Sequence, residues 1–166
     1  MNNIAIIIPT YNELENIEKL VKEINKNVKK CSIFIVDDSK KDDIGKLVAN
    51  KDIKIKYFHR KKKSGRGSAV LYGLKKAMKS KKNTIFIEMD ADFSHDPKEL
   101  KRNIHIFKKK KLDLLIGSRY LKDSKIINWS LSRRIFSKLS NFLARNVLQI
   151  SLNDFTNGFR IYSKRA

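Results

Sequence analysis

The sequence predicts an α/β protein, a mostly parallel Rossmann-like sheet flanked by helices, and three observations carry that prediction. Short apolar, β-rich runs alternate with amphipathic stretches, the pattern of strands joined by crossover helices. Residues of unusual chemistry stand directly after the strands, where the loops of an open parallel sheet gather around a ligand. The 166 residues are 41% hydrophobic, with 9 Phe, 5 Tyr and 1 Trp, enough to bury a core although 33% are charged. That length suits one domain with a single core.

The elements follow in order. Strands are read at 4–8, 32–37, 53–58, 84–89 and 112–117 from their apolar runs. Helices are read between them at 13–28, 42–50, 67–79 and 97–110, the last opening on Pro97, which suits a first helical turn. A further helix is predicted over 129–150, where Leu131, Ile135, Leu139, Phe142, Leu143, Val147 and Ile150 mark an apolar face. Arg133, Ser137 and Asn141 recur at four-residue steps beside Arg134, Lys138 and Arg145, making the other face cationic and polar. Such a C-terminal amphipathic helix either packs on the domain or lies in the headgroup layer of an anionic membrane surface.

Thirty-eight Lys and Arg against 17 Asp and Glu give a formal charge of +21, a field that attracts polyanions. Nucleic acid, anionic lipid and nucleotide phosphate all satisfy that field. A nucleic-acid binder would interleave aromatics with its basic runs, and only Tyr57-Phe58 lies near one, so no specific nucleic acid partner is expected. Cys31 is the only cysteine, which excludes an internal disulfide and a cysteine-built zinc site and fits a reducing cytoplasm. It reads as a small core residue. The sequence runs from Met1 into its first strand without a secretory signal pattern, and no apolar run approaches the roughly 20 residues of a membrane span. Membrane contact is therefore expected to be peripheral, from the cytoplasmic side.

The loops after the strands carry the chemistry. Asp90 and Asp92 flank Ala91 after the run Ile85 to Met89, and two carboxylates at a strand end can bind a divalent ion that neutralises a nucleotide diphosphate. Ser94 or Asp96 can cap the helix at Pro97, leaving Asp90 and Asp92 for another role. Asp37-Asp38 closes the second strand, and adjacent carboxylates need donors, which a ribose diol, a base N–H or an ordinary Asx turn supplies. His59 to Ser68 combines cations and glycines before a helix, where an anion is favoured, so Arg66 or Arg60 is a candidate for phosphate.

Taken together, Pro9-Thr10-Tyr11-Asn12-Glu13, Asp37-Asp38, Asp90-Ala91-Asp92, Gly117-Ser118-Arg119-Tyr120 and Asp154-Phe155-Thr156-Asn157-Gly158-Phe159-Arg160 resemble the family 2 glycosyltransferases. The run Asp90-Ala91-Asp92-Phe93-Ser94-His95-Asp96-Pro97 is similar to the dolichol-phosphate (polyprenyl-phosphate) mannose synthase subgroup. The resemblance implies a GT-A fold, a GDP-mannose-like nucleotide-sugar donor, a polyprenyl phosphate acceptor and Mg2+ or Mn2+. It implies that Asp90 and Asp92 hold the metal, with Ser94 where some relatives place a third ligand. Pro9, Tyr11, Glu13, Asp37, Asp38, Arg66 and Ala91 would contact the donor, Arg119 would face its phosphates, and Arg133 with Ser137 would hold the acceptor phosphate.

Two departures accompany the likeness. The family's Asp-Asp-Gly-Ser-x-Asp-Gly-Thr stands here as Asp37-Asp38-Ser39-Lys40-Lys41-Asp42-Asp43-Ile44, altering the nucleoside side. The sequence also stops at Ala166, where relatives continue, so the expectation is a single domain over 1–166, either a fragment or a minimal enzyme. Relatives that attack with a sugar hydroxyl carry a Glu-Asp pair near the end of the domain, and none stands here, which favours a phosphate acceptor. The alternative within the family is a saccharide-hydroxyl acceptor with Asp154 as base.

Overall fold

The computed structural model describes residues 3–49, 55–121, 130–150 and 152–166, the side chains of Ala49 and Arg133 excepted. The chain falls into two compact units, Met1–Leu115 with Phe159–Ala166, and Ile116–Gly158. The elements are β1 (Asn3–Thr10), α1 (Leu14–Asn27), β2 (Cys31–Asp37), α2 (Asp43–Ala49), β3 (Ile55–His59), α3 (Arg66–Met78), β4 (Asn83–Glu88), α4 (Glu99–Lys109), β5 (Leu114–Ile116), α5 (Leu131–Leu148) and β6 (Arg160–Ser163). The five strands and five helices expected from the sequence are present with ends shifted by a few residues. Residues 50–54 and 122–129, including Trp129, lie outside the described residues. β6 is the strand that the apolar-run criterion missed.

The sheet runs β3-β2-β1-β4-β6-β5. β1 pairs in parallel with β2 and β4, and β2 with β3, while β6 lies antiparallel to β4. β1 is buried along Ile4 to Thr10, as a continuous apolar strand covered on both faces must be. Ile6, Ile8, Ile33, Ile35, Ile85 and Ile87 face α1 and α4, which contribute Ile17, Leu20, Ile24, Leu100, Ile104 and Phe107. Ala5, Ile7, Phe34 and Phe86 face the other way, toward α3 and its Ala77. Gly73 lets α3 lie against β1: a Cβ there would come within 2.6 Å of Ile7 Cγ2.

The chain builds β2 and β3 on one side of β1 and then crosses to lay β4 on the other, so the carboxyl ends of β1 and β4 open a crevice between their loops. Asn12 and Phe93, in the loops after β1 and β4, both adopt left-handed backbone with φ of 59°. Asparagine tolerates that region, whereas for Phe93 it costs about 1 kcal/mol, offset by packing of its ring on the core.

Candidate active site

A cavity of about 330 Å³ occupies this crevice. The end of β1 supplies Pro9, Thr10, Tyr11 and Glu13, the end of β2 supplies Asp38, and the end of β4 supplies Asp90, Ala91 and Asp92. Lys63, Gly65, Arg66 and Ala69 complete it from the basic loop and the first turn of α3. Gly65 precedes α3 with φ of 83°, a conformation that L side chains rarely adopt. Of the twelve lining residues, Pro9, Tyr11, Glu13, Asp38, Arg66, Asp90, Ala91 and Asp92 are among those singled out in the sequence.

The two strand-end aspartates differ in their surroundings. Asp90 donates its backbone N–H to His95 Nδ1 at 3.1 Å, and its Oδ1 accepts from Arg66 Nε at 2.7 Å. Asp92 accepts the Ser94 N–H at 3.0 Å. Burial would raise the Asp92 pKa, but the hydroxyl and N–H of Ser94 hold it below the ordinary carboxylate value. Ser94 thus serves Asp92 and does not line the cavity. Asp96 takes the Lys98 N–H at 2.9 Å and so secures the turn into α4, which starts at Glu99 and not at Pro97.

Asp37 does not offer itself to a ligand as the sequence suggested. It is fully buried, its Oδ1 accepts from Thr10 Oγ1 at 3.0 Å, Ser39 N at 3.1 Å and Ser39 Oγ at 2.5 Å, and its Oδ2 accepts from Tyr57 at 3.1 Å. Ser39, standing where the family has glycine, also accepts the Asn12 N–H at 2.7 Å, so Asp37 ties the β1 and β2 loops together. Asp38 lines the cavity but is gripped by Arg60 through Nε at 2.6 Å and Nη2 at 2.7 Å, and by the Ser64 N–H at 3.1 Å. Those donors outweigh burial and keep its pKa low. Arg60, a candidate for phosphate, is committed to Asp38 and Ser68. Lys63 Nζ lies 3.6 Å from the centroid of the Tyr11 ring, a cation–π contact on the cavity wall.

The unit Ile116–Gly158 has its own polar cluster. Arg119 grips Asp154 with Nε and Nη2, both at 2.8 Å, adds its backbone N–H at 3.1 Å, and donates to Thr156 Oγ1 at 2.5 Å. The Asp154 side chain is fully buried and also accepts from the N–H and hydroxyl of Thr156, each at 3.1 Å. Burial raises its pKa, yet the Arg119 contacts prevail and hold it below the ordinary value. Ser137 accepts from Tyr120 at 2.7 Å and lies 3.3 Å from Thr156 Oγ1. Among the described side chains of α5, Ser137 and Asn141 are buried, at 7% and 4% exposure, whereas Leu131, Phe136, Phe142 and Val147 are 62–79% exposed. The Arg133 side chain lies outside the described residues. The sequence assigns no individual role to Glu88, Lys63 or Thr156, because their partners Arg66, Tyr11 and Arg119 are distant along the chain, nor to His95, whose bond to the Asp90 N–H depends on how the loop after β4 folds.

The strand order and the aspartate pair at the end of β4 define the GT-A class of α/β folds. Residues 5–166 match glycosyl transferase family 2, and the chain belongs to that family. The polyprenol monophosphomannose synthase of Mycolicibacterium smegmatis is 35% identical over 164 residues, 96% of this chain and 61% of that protein. The undecaprenyl-phosphate mannosyltransferase of Micrococcus luteus is 33% identical over 162 residues, 96% of this chain and 65% of that protein. This chain thus spans less than two thirds of the length of these curated relatives. In fold it is similar to glucosyl-3-phosphoglycerate synthase of Mycobacterium tuberculosis, solved with Mn2+, UDP and glucosyl-3-phosphoglycerate, with a TM-score of 0.68 at 16% identity over 99% of this chain and 57% of that one. It also resembles a mannosyltransferase of Pyrobaculum calidifontis solved with GDP-mannose and Mn2+, with a TM-score of 0.60 at 17% identity over 98% of this chain and 44% of that one.

Proposed function

We propose that the chain is an inverting transferase that moves mannose from a GDP-mannose-like donor to a polyprenyl phosphate. The observation that carries this reading is the cavity at the β1 and β4 ends, where Asp90 and Asp92 share a wall with Tyr11, Asp38 and Arg66. The names of the curated relatives support the lipid acceptor and the sugar.

Two carboxylates facing one cavity suit Mg2+ or Mn2+, which prefer hard oxygen ligands, bind through one or two carboxylates and leave positions for substrate phosphates. Such a cation supplies positive charge for the departing diphosphate. In the reaction, a lipid phosphate oxygen forms a bond to the anomeric carbon while the bond to the donor diphosphate breaks, and the nucleoside diphosphate leaves with the electron pair. A phosphate monoester has a second pKa of about 6, so the nucleophile is already anionic near neutrality and needs no protein base. Asp154 is ill suited to be one, because its oxygens are filled by Arg119 and Thr156 and its affinity for a proton is lowered. That observation disfavours the saccharide-hydroxyl alternative and supports a role for Asp154 in orienting Arg119.

Arg133 and Ser137, one turn apart on α5, are assigned to the acceptor phosphate, and Ser137, buried and bonded to Tyr120, would reach it only by giving up one of its present contacts. Among the described residues no helix is long and apolar enough to cross a membrane. The exposed apolar side chains of α5 and the net charge support peripheral attachment to an anionic, cytoplasmic-side membrane surface. The test incubates the protein with Mg2+, polyprenyl phosphate and a panel of labelled nucleotide sugars. Label from GDP-mannose is expected in the organic phase, and its absence with every donor would end the proposal. Arg133→Ala should abolish most of that transfer with donor binding retained, whereas equal losses from Arg133→Ala and Lys138→Ala would reduce Arg133 to general attraction for the membrane.

A further inference from the structure

Arg66 stands at the first position of α3 and spans two carboxylates of β4 and its following loop. Nη1 donates to Glu88 Oε1 at 2.6 Å and Nε donates to Asp90 Oδ1 at 2.7 Å. The two partners differ in depth. The Glu88 side chain is 3% exposed and its second oxygen accepts from Tyr162 at 2.9 Å, whereas the Asp90 side chain is 29% exposed and opens onto the cavity. Removing a cation from a buried carboxylate costs far more than removing one from a solvated carboxylate, so the grip on Asp90 is the one that exchanges.

We propose that Arg66, tethered by Glu88, is a built-in counter-ion of Asp90 that competes with the divalent cation and passes to the donor diphosphate when the cation takes Asp90. The inference rests on the reading of Asp90 as a metal-holding residue. Its physical content is electrostatic. A dication arriving alone at Asp90 either displaces Arg66 Nε from Oδ1 or binds Oδ2 with that guanidinium beside it, and in both cases the anchored positive charge opposes binding. A diphosphate arriving with the dication brings negative charge for both cations and accepts the Nε–H that Asp90 gives up. Arg66 therefore makes metal and nucleotide binding depend on each other, and the coupling is reciprocal by linkage. Glu88 keeps the guanidinium in place through the exchange and acts as a positioning residue.

The experiment measures Mn2+ binding by the paramagnetic resonance of free Mn2+, first alone and then with saturating GDP or UDP, in the wild type and Arg66→Gln. In the variant, Mn2+ alone should bind about fivefold tighter, the scale of a partly exposed ion pair removed. The factor by which the nucleotide tightens Mn2+ should fall about tenfold, because the diphosphate loses its guanidinium. Unchanged or weaker Mn2+ binding in Arg66→Gln, with the coupling factor intact, would overturn the proposal. If Arg66→Gln fails to fold because Glu88 is left uncompensated, the double variant Arg66→Gln/Glu88→Gln removes both charges and carries the same two expectations. A wild type that binds neither nucleotide with Mn2+ would refute the donor-site reading itself, an outcome separate from the Arg66 result.

Discussion

At the scale of single residues, the chain separates carboxylates that build from carboxylates that face a ligand. Asp37 and Asp38 are neighbours at the end of β2, yet Asp37 is consumed by Thr10, Ser39 and Tyr57 while Asp38 reaches the cavity with Arg60 attached. The sequence shows that both need donors but not which donors they find, since Tyr57 and Arg60 arrive from a different strand and its loop. Asp154 is the clearest builder. Its folded pKa is depressed, so the stability it confers is complete above the unfolded value of about 3.9 and is lost as pH falls through the lower folded value. Asp154→Asn should therefore lower stability near neutrality by about 2 kcal/mol, because the charge-assisted hydrogen bonds from the partly exposed Arg119 are weakened. Urea unfolding of both proteins from pH 7 to pH 3 checks this: the gap should stay constant to about pH 5 and narrow below it. Asp38 and Asp92 titrate in both proteins and drop out of the difference. A gap independent of pH would mean that Asp154 contributes through packing alone.

At the scale of elements, strands with long apolar runs were legible and β6 was not. Arg160-Ile161-Tyr162-Ser163 is four residues long and mixed in polarity, and it becomes a strand by pairing with β4 from 74 positions away, as Tyr162 and Glu88 show. The helix over 129–150 was legible as a helix, but its burial was not. Periodicity identifies an apolar face without saying what covers it, and in α5 the polar pair Ser137 and Asn141 is buried through partners in its own unit while the apolar residues are exposed. With Arg134 and Lys138 also exposed on α5, attachment to a membrane should combine charge and apolar insertion. Vesicle sedimentation should require anionic lipid and weaken with salt, and Phe136→Ser with Phe142→Ser should reduce it by roughly tenfold. Equal binding to neutral vesicles in high salt would leave apolar insertion as the main force and the charge as incidental.

At the scale of the whole molecule, a charge of +21 attracts any polyanion, and only the arrangement of a few strand-end residues narrows the choice. The order of motifs along the chain made the fold and the cavity-lining loops legible, because parallel strands bring their carboxyl ends together wherever the intervening helices lie. What stayed hidden were the ion pairs Arg66–Glu88, Arg66–Asp90 and Arg60–Asp38, which decide how much of each charge a ligand meets. The central claim is that the cavity at the ends of β1 and β4 binds a nucleoside diphosphate through a cation on Asp90 and Asp92. Calorimetric titration of GDP, with and without Mn2+, into the wild type and Asp92→Asn tests it most directly. The wild type should bind GDP with Mn2+ at least about tenfold tighter than without it, and Asp92→Asn should lose that dependence while keeping its fold, since the side chain is exposed and not a core contact. An equal Mn2+ dependence in Asp92→Asn would contradict the account.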